Sequence, residues 1–286
     1  MSRSSIVDLH NVTVCAADSL HPELAARALG ICMDQCRFGD ALLFSDKSVS
    51  TRARLVPISP LKSKADYSTF ILRDLIRHIR TPWVLIVQWD GYVVDASAWR
   101  EAFFDYDYIG APWPFHGTGF DVGNGGFSLR SMRLMQALSN PQFALQPGIN
   151  EDDLICRLYR RELETTFSIR FPPAEIASRF AYEYTDPQSP TFGFHSARNL
   201  WRHVDDDTMM RIAGSLDLRT FTSSEVMQLL MHYCQLRKFD CVRTMCERYF
   251  RHWSPQQLVE SLYTTGVPEN VIRHCAEICL RTMETA

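Results

Sequence analysis

The sequence predicts an α/β domain on a covered, largely parallel sheet, followed by an all-α C-terminal region. Three observations carry this. The first strand-like runs are too apolar to alternate, as expected of strands buried on both faces by helices. The apolar run Trp83-Val84-Leu85-Ile86-Val87 leads directly into the polar Gln88-Trp89-Asp90-Gly91. From Asp205 onward, strand signals give way to short amphipathic helices. The resulting division is residues 1–204 and residues 205–286.

Val12-Thr13-Val14-Cys15-Ala16-Ala17 reads as a strand ending at Asp18-Ser19. His21-Pro22-Glu23 opens a helix, with Pro22 suited to the first turn and Ser19 available as a cap. Leu24, Ala28, Ile31 and Cys32 recur at helical spacing, and Ala41-Leu42-Leu43-Phe44 is a second buried strand ending at Ser45-Asp46. Residues Tyr67 to Arg80 have helical periodicity until Thr81-Pro82 stops them. The aromatic loop Asp107-Tyr108-Ile109-Gly110-Ala111-Pro112-Trp113-Pro114 and the turn Gly123-Asn124-Gly125-Gly126 follow, the latter leading into Phe127-Ser128-Leu129-Arg130. In the tail, helices are predicted around 208–218, 223–236, 238–252, 255–265 and 268–283. Thr222 or Ser223 and Ser254 are available as caps, and Asp205-Asp206-Asp207 forms the joint.

The totals exclude several classes. A net charge of -3 gives no basic field for nucleic acid. With 46% apolar and 22% charged residues, the composition is that of a packed globular chain. No run approaches the roughly eighteen apolar residues of a membrane span. The start, Met1-Ser2-Arg3-Ser4-Ser5, becomes polar too soon for a secretory leader. Nine cysteines are an odd number, no paired CxxC occurs, and Cys32, Cys156, Cys234 and Cys279 sit in apolar helical settings. Reduced thiols and a cytoplasmic location are the expectation.

Four groups of residues are candidates for chemistry, each with a plainer alternative. At a strand end, where open α/β sheets bind ligands, Asp90 can coordinate a divalent cation beside Gln88, or cap a turn before Gly91. Gly123-Asn124-Gly125-Gly126 allows close backbone approach to a ligand, or is only a turn. Glu151-Asp152-Asp153 opens a helical run: its carboxylates cap the helix dipole, or one serves as a general base. His195, in Phe192-Gly193-Phe194-His195, is structural, or joins Asp90 in a site suited to manganese or a related ion.

The order of these segments resembles a bacterial domain family of unknown function regarded as glycosyltransferase-like, over roughly residues 10–202. The resemblance rests on Gln88-Trp89-Asp90-Gly91-Tyr92-Val93, Tyr106 to Trp113, Gly123 to Arg130, Glu151-Asp152 and Phe192 to His195. More distantly, the layout is similar to glycosyltransferases of the GT-A type. That likeness implies a Rossmann-type mixed sheet flanked by helices and sugar transfer from a nucleoside-diphosphate sugar to an acceptor hydroxyl, with inversion. By position it implies Asp152, in the pair with Glu151, as base, and Asp90 and His195 as ligands of Mn²⁺ or Mg²⁺. Donor contacts are expected from Ala17, Asp18, Ser19, Asp46, Gln88, Trp89, Asp90, Gly125 and Gly126. Trp113, Asn124, Phe127 and Asp153 are expected on the acceptor side, with the Trp113 and Phe127 rings stacking on sugar. The departure is Gln88, where the GT-A pattern has a carboxylate; one lost ligand charge weakens metal binding and leaves a metal-independent variant open.

The acceptor implied is a glycan, a lipid-linked saccharide or a protein side chain. Two rival readings keep the fold: a degenerate binding module whose tail recruits a partner, and a nucleotidyltransferase. The absence of a glycine-rich basic loop at the first strand end argues against the second. Cys234, Leu236, Phe239, Val242 and Met245 are expected to pack or form a homodimer face, and Tyr249, Phe250 and Trp253 are the aromatics available to a partner.

Overall fold

The computed structural model describes residues 6–115, 117 and 119–284; Met1 to Ser5, on which the leader reading falls, lie outside them. The chain divides into two units, one ending at His195 and one starting at Ser196.

The first unit is built on strands β1 (Val7–Ala17), β2 (Cys36–Ser45), β3 (Arg54–Pro57), β4 (Trp83–Val87), β5 (Tyr108–Ile109) and β6 (Phe127–Ser131), in the order β3-β2-β1-β4-β6-β5. The neighbours β3, β2, β1 and β4 run parallel, whereas β6 returns antiparallel to both β4 and β5. The sheet is mixed. Its centre is dry: Val12, Val14, Val84, Ile86 and Val87 are fully buried, which is why their sequence shows no alternation. Edge strand β3 was not expected, because Arg54-Leu55-Val56-Pro57 is short, exposed at both ends and terminated by proline.

Between β1 and β2 lies α1 (Pro22–Gln35), with Pro22 in its first turn. Its entry is organised by Asp18, not Ser19: Asp18 Oδ1 accepts from the backbone N–H groups of Leu20 and His21, both at 2.7 Å. Ser19 Oγ instead accepts from Leu61 N at 2.8 Å. Ser63 caps α2 (Lys64–Thr69), which continues through a π-helical turn, Phe70–Asp74, and a 3-10 turn, Leu75–Arg77. After β6 come α3 (Met132–Leu138), the single turn α4 (Glu151–Asp153), a second π-helical turn at Leu154–Leu158, α5 (Arg160–Phe167) and α6 (Ala174–Phe180). Two very short strands close the unit, β7 (Ala181–Tyr182) and β8 (Gly193–Phe194), paired in parallel.

Arg130 on β6 is fully buried and its Nη2 is 3.0 Å from Glu151 Oε1 on α4. Its Nε donates to Ser128 Oγ at 3.0 Å, and the guanidinium lies over the Tyr108 ring. The backbone N–H of Glu151 donates to Ser68 Oγ on α2. The ion pair therefore ties three elements together beneath the sheet edge.

In the second unit, the 3-10 stretch Ala197–Arg202 is followed by α7 (Asp206–Ser215), α8 (Leu218–Phe221), α9 (Ser224–Gln235), α10 (Phe239–Phe250), α11 (Pro255–Tyr263) and α12 (Glu269–Glu284). The unit starts before the acidic joint because Ala197–Arg202 packs on α9, with Trp201 against His232. Ser223 caps α9, and Ser254 forms a reciprocal capping box with Gln257. Cys234, Val242 and Met245 are core, whereas Leu236 and Phe239 are exposed. Tyr249 is not a surface aromatic: it is 1% exposed, stacks on Trp253, and donates its hydroxyl to Phe221 O. All nine cysteines are buried free thiols. Among the described residues, no helix is long and apolar enough to cross a membrane.

Removing one partner of a buried ion pair strands the other charge. Glu151→Ala is expected to destabilise the protein by about 3–5 kcal/mol, measured by denaturant unfolding.

Candidate functional site

Antiparallel pairing of β4 with β6 puts Val87 opposite Phe127. The segments just outside these residues, Gln88 to Gly91 and Asn124 to Gly126, therefore emerge side by side at the carboxyl ends of the parallel strands. Gln88 and Gly91 close on one another through paired backbone hydrogen bonds of 3.2 and 3.1 Å. β8 joins this edge because Val93 bridges Gly193 and Val94 N donates to Phe192 O. That brings His195, just past β8, over the strand end.

The imidazole is enclosed by glycines. A Cβ at Gly126 would lie 2.0 Å from His195 Nε2, and one at Gly91 would lie 2.8 Å from its Cδ2. His195 Nε2 faces Gln88 Oε1 at 3.2 Å and Asp90 Oδ1 at 3.6 Å. On the other side of the ring, Nδ1 is 3.1 Å from Glu183 Oε1. Burial alone would lower the pKa of this ring, but the charges of Asp90 and Glu183 prevail and push it up to about 9. Both ring nitrogens face oxygen acceptors, which is the environment of an imidazolium.

Asn124 links the two sides. It adopts a left-handed backbone, φ 68°, its Oδ1 accepts from Phe127 N, and its Nδ2 donates to Glu183 Oε2. The next residue, Gly125, donates its N–H to Asp152 Oδ2 at 2.9 Å, and a Cβ there would lie 2.1 Å from Glu151 Oε1. Burial, followed by the neighbouring charge of Glu151, pushes the Asp152 carboxyl up to about 7. It is half-buried, so a carboxyl of near-neutral pKa stands at the edge of the loop.

The expected residues fall into distinct places. Gln88, Asp90, Asn124, Gly125, Gly126, Asp152 and His195 converge, with Trp89 half-buried beside His21. Ala17, Asp18, Ser19 and Asp46 lie at the ends of β1 and β2 on the same edge. The carboxylate of Asp18 is occupied by the α1 entry and raised by burial, while Asp46 is exposed. Glu151 has no open carboxylate, because Arg130 takes it. Trp113 and Phe127 do not present a stacking face: they are 5% and 0% exposed, Trp113 against Gly123 and Phe127 among Phe180, Phe192 and Gly193. Asn124 is likewise buried and spends its amide internally. Asp153 pairs with Arg157 one turn along its helix. Residues not anticipated are Tyr67, whose hydroxyl accepts from Gln88 Nε2 at 3.1 Å, and Glu183. The exposed ring pair Phe115–Tyr184, with centroids 4.8 Å apart, was also not anticipated.

Among the described residues, no group of three or more His, Cys, Asp or Glu side chains converges to hold a metal ion. Asp90 Oδ1 and His195 Nε2 nevertheless have the separation of two ligands each about 2.1 Å from a shared ion, and the Gln88 amide oxygen is a third donor of suitable type. The donor set fits a divalent cation.

The profile of one protein family, described as "Protein of unknown function (DUF5672)", matches residues 50–195. The chain belongs to this family. The matched span contains the whole of the loop, carboxyl and imidazole cluster. No curated protein matches. Among solved structures, the chain is similar to the mannosyltransferase PcManGT from Pyrobaculum calidifontis in complex with GDP-Man and Mn2+: 10% identity over 99% of this chain and 90% of that one, TM-score 0.40. It is also similar to the apo form of the glycosyltransferase GlyE of Streptococcus pneumoniae TIGR4, at 10% identity over 68% of this chain and 56% of that one, TM-score 0.37. A second GlyE structure gives 11% identity and TM-score 0.35. At these identities the likeness concerns the course of the chain alone.

Asp152 is neutral in the fold up to about pH 7, whereas in the unfolded chain it ionises near 3.9. The folded state is thus penalised progressively as pH rises between those values, and the penalty is complete above pH 7. Asp152→Asn, which retains an acceptor for Gly125 N, is expected to melt a few degrees higher than wild type at pH 8 and at the same temperature near pH 4. Equal melting temperatures at pH 8 would contradict the raised pKa.

Proposed function

We propose that the unit ending at His195 is a glycosyltransferase that moves a sugar from a nucleoside-diphosphate donor to an acceptor hydroxyl with inversion. The observation that supports this most is the meeting of two chemistries on one loop. Gly125 holds the carboxyl of Asp152, and the adjoining Gly126 and Gly91 hold His195 beside Asp90. A carboxyl that would accept the proton and the pair that would hold a diphosphate-neutralising ion thus both meet the Gly125-Gly126 turn.

In this reading, the acceptor hydroxyl approaches Asp152, whose carboxyl titrates near neutrality as a general base should. The acceptor oxygen attacks the anomeric carbon, its proton passes to Asp152, and the bond from that carbon to the diphosphate oxygen breaks on the opposite face. Asp90, His195 and the Gln88 amide oxygen would hold Mn²⁺ or Mg²⁺. When bound, such an ion neutralises charge developing on the departing diphosphate. Ala17, Asp18, Ser19, Trp89 and Asp46 line the same sheet edge as the donor-nucleotide side. Phe115 and Tyr184, an exposed ring pair of which Tyr184 adjoins Glu183 in the chain, are better placed than the buried Trp113 and Phe127 to offer ring faces to a sugar. The acceptor class spans glycans, lipid-linked saccharides and protein side chains.

The test is a screen of nucleotide sugars for donor hydrolysis and transfer with Mn²⁺ and Mg²⁺, beside calorimetry with uridine and guanosine diphosphates. Asp152→Asn is expected to lower turnover by roughly 10²–10⁴-fold while leaving nucleotide affinity nearly unchanged. Surviving activity would remove Asp152 as base. Binding of neither uridine nor guanosine diphosphate, with or without metal, would favour a degenerate module.

A further inference from the structure

From the geometry around His195 we infer that Glu183 is the positioning residue of the site: it holds the His195 ring so that Nε2 offers its electron pair to a divalent cation beside Asp90. The inference rests on the metal-binding part of the reading above and adds a residue to it.

The placement begins in the backbone. β7 and β8 are parallel, with Ala181 opposite Gly193 and Tyr182 opposite Phe194. The next residues in that register are Glu183 and His195, and the N–H of His195 donates to Tyr182 O at 3.0 Å. The strand pair therefore delivers a carboxylate and an imidazole side by side at the sheet edge.

The side chains complete the argument. Glu183 is 7% exposed, with Oε1 3.1 Å from His195 Nδ1 and Oε2 accepting from Asn124 Nδ2. Asn124 Nδ2 also lies 3.1 Å from His195 Nδ1, but a carboxylate only accepts, so a lone pair on Nδ1 would be opposed by Glu183. The proton belongs on Nδ1, facing Glu183 Oε1, and the hydrogen that Asn124 Nδ2 directs at the carboxylate goes to Oε2. With Nδ1 so engaged, and with Gly91 and Gly126 closing on the ring, Nε2 is fixed toward Asp90 and Gln88. A ligating histidine that donates its other N–H to a carboxylate has its tautomer and ring orientation set, and loss of such a partner costs roughly 10–100-fold in metal affinity.

Glu183→Gln is isosteric but cannot serve both neighbours. One of its ends must present an amide N–H₂, either to Asn124 Nδ2 or to His195 Nδ1. The experiment is a Mn²⁺ titration followed by electron paramagnetic resonance, on wild type and Glu183→Gln, with thermal melting of each. Mn²⁺ binding roughly 10–100-fold weaker in a folded Glu183→Gln supports the inference. Equal binding by the two proteins overturns it while leaving Asp90 and His195 as ligands. Absence of Mn²⁺ binding by the wild type overturns both the metal reading and the role of Glu183. Should Glu183→Gln not fold, ¹⁵N correlation spectra of wild-type histidines in saturating Mg²⁺ decide, with the His195 signals assigned by their loss in His195→Gln. A ring protonated only at Nδ1 supports the inference, and one protonated at Nε2 overturns it.

Discussion

The antiparallel register of β4 against β6 governs the geometry of everything at the site. Because Val87 faces Phe127, the chain leaving the sheet at Gln88 and the chain entering it at Asn124 share one edge. A slip of one residue would turn each β6 side chain to the opposite face. Arg130 would then leave Glu151, and Phe127 would leave the aromatic cluster around Phe180 and Phe192. Gly193 follows from the same constraint, since a Cβ there would lie 2.2 Å from the Phe127 ring. The buried core and the polar loop are therefore specified together, and His195 is placed by the packing of its neighbours as much as by its own contacts.

The electrostatics of this edge are those of crowded carboxyl groups. Asp90, Glu151, Asp152 and Glu183 lie around Arg130 and His195, each of them largely withdrawn from water. Arg130 is committed to Glu151, so Asp152 gains little from it and is pushed up, first by burial and then by Glu151. His195 answers the charges of Asp90 and Glu183 by holding its proton to about pH 9. A divalent cation at Nε2 would displace that proton and meet the same negative field.

Much of this arrangement is legible in the residues. Trp83 to Val87 is an apolar run stopped by Pro82 and Gly91, and a buried strand with a polar exit is its natural reading. Glycines at 125 and 126 beside an asparagine announce close backbone approach, although not whether ligand or protein approaches; the structure answers with Glu151 and His195. Residue type misleads at Trp113, Phe127 and Asn124, where aromatic and amide groups suited to a sugar are used inside the fold. Glu183 is illegible for a different reason. Tyr182-Glu183-Tyr184 resembles any surface segment, and its meaning arises only from its register with β8, a pairing of two residues per strand that leaves no periodic trace. The helical tail is legible in its caps, Ser223 and Ser254, but its upper limit is not, because Ala197 to Arg202 joins it through packing on α9.

The π-helical turn at Leu154–Leu158 directly follows the carboxyl-bearing turn α4. Such a turn holds one residue more than α-helical geometry requires. The extra residue is taken up where the carboxyl-bearing turn passes into the core: Leu154, Ile155 and Cys156 are buried, while Glu151 meets Arg130 and Asp152 meets Gly125. Because the widened turn absorbs that residue locally, the helical phase on either side is nearly kept, and deleting one residue within it would close the turn to regular helix. The turn is therefore the place in this segment where a change of length disturbs the two faces least.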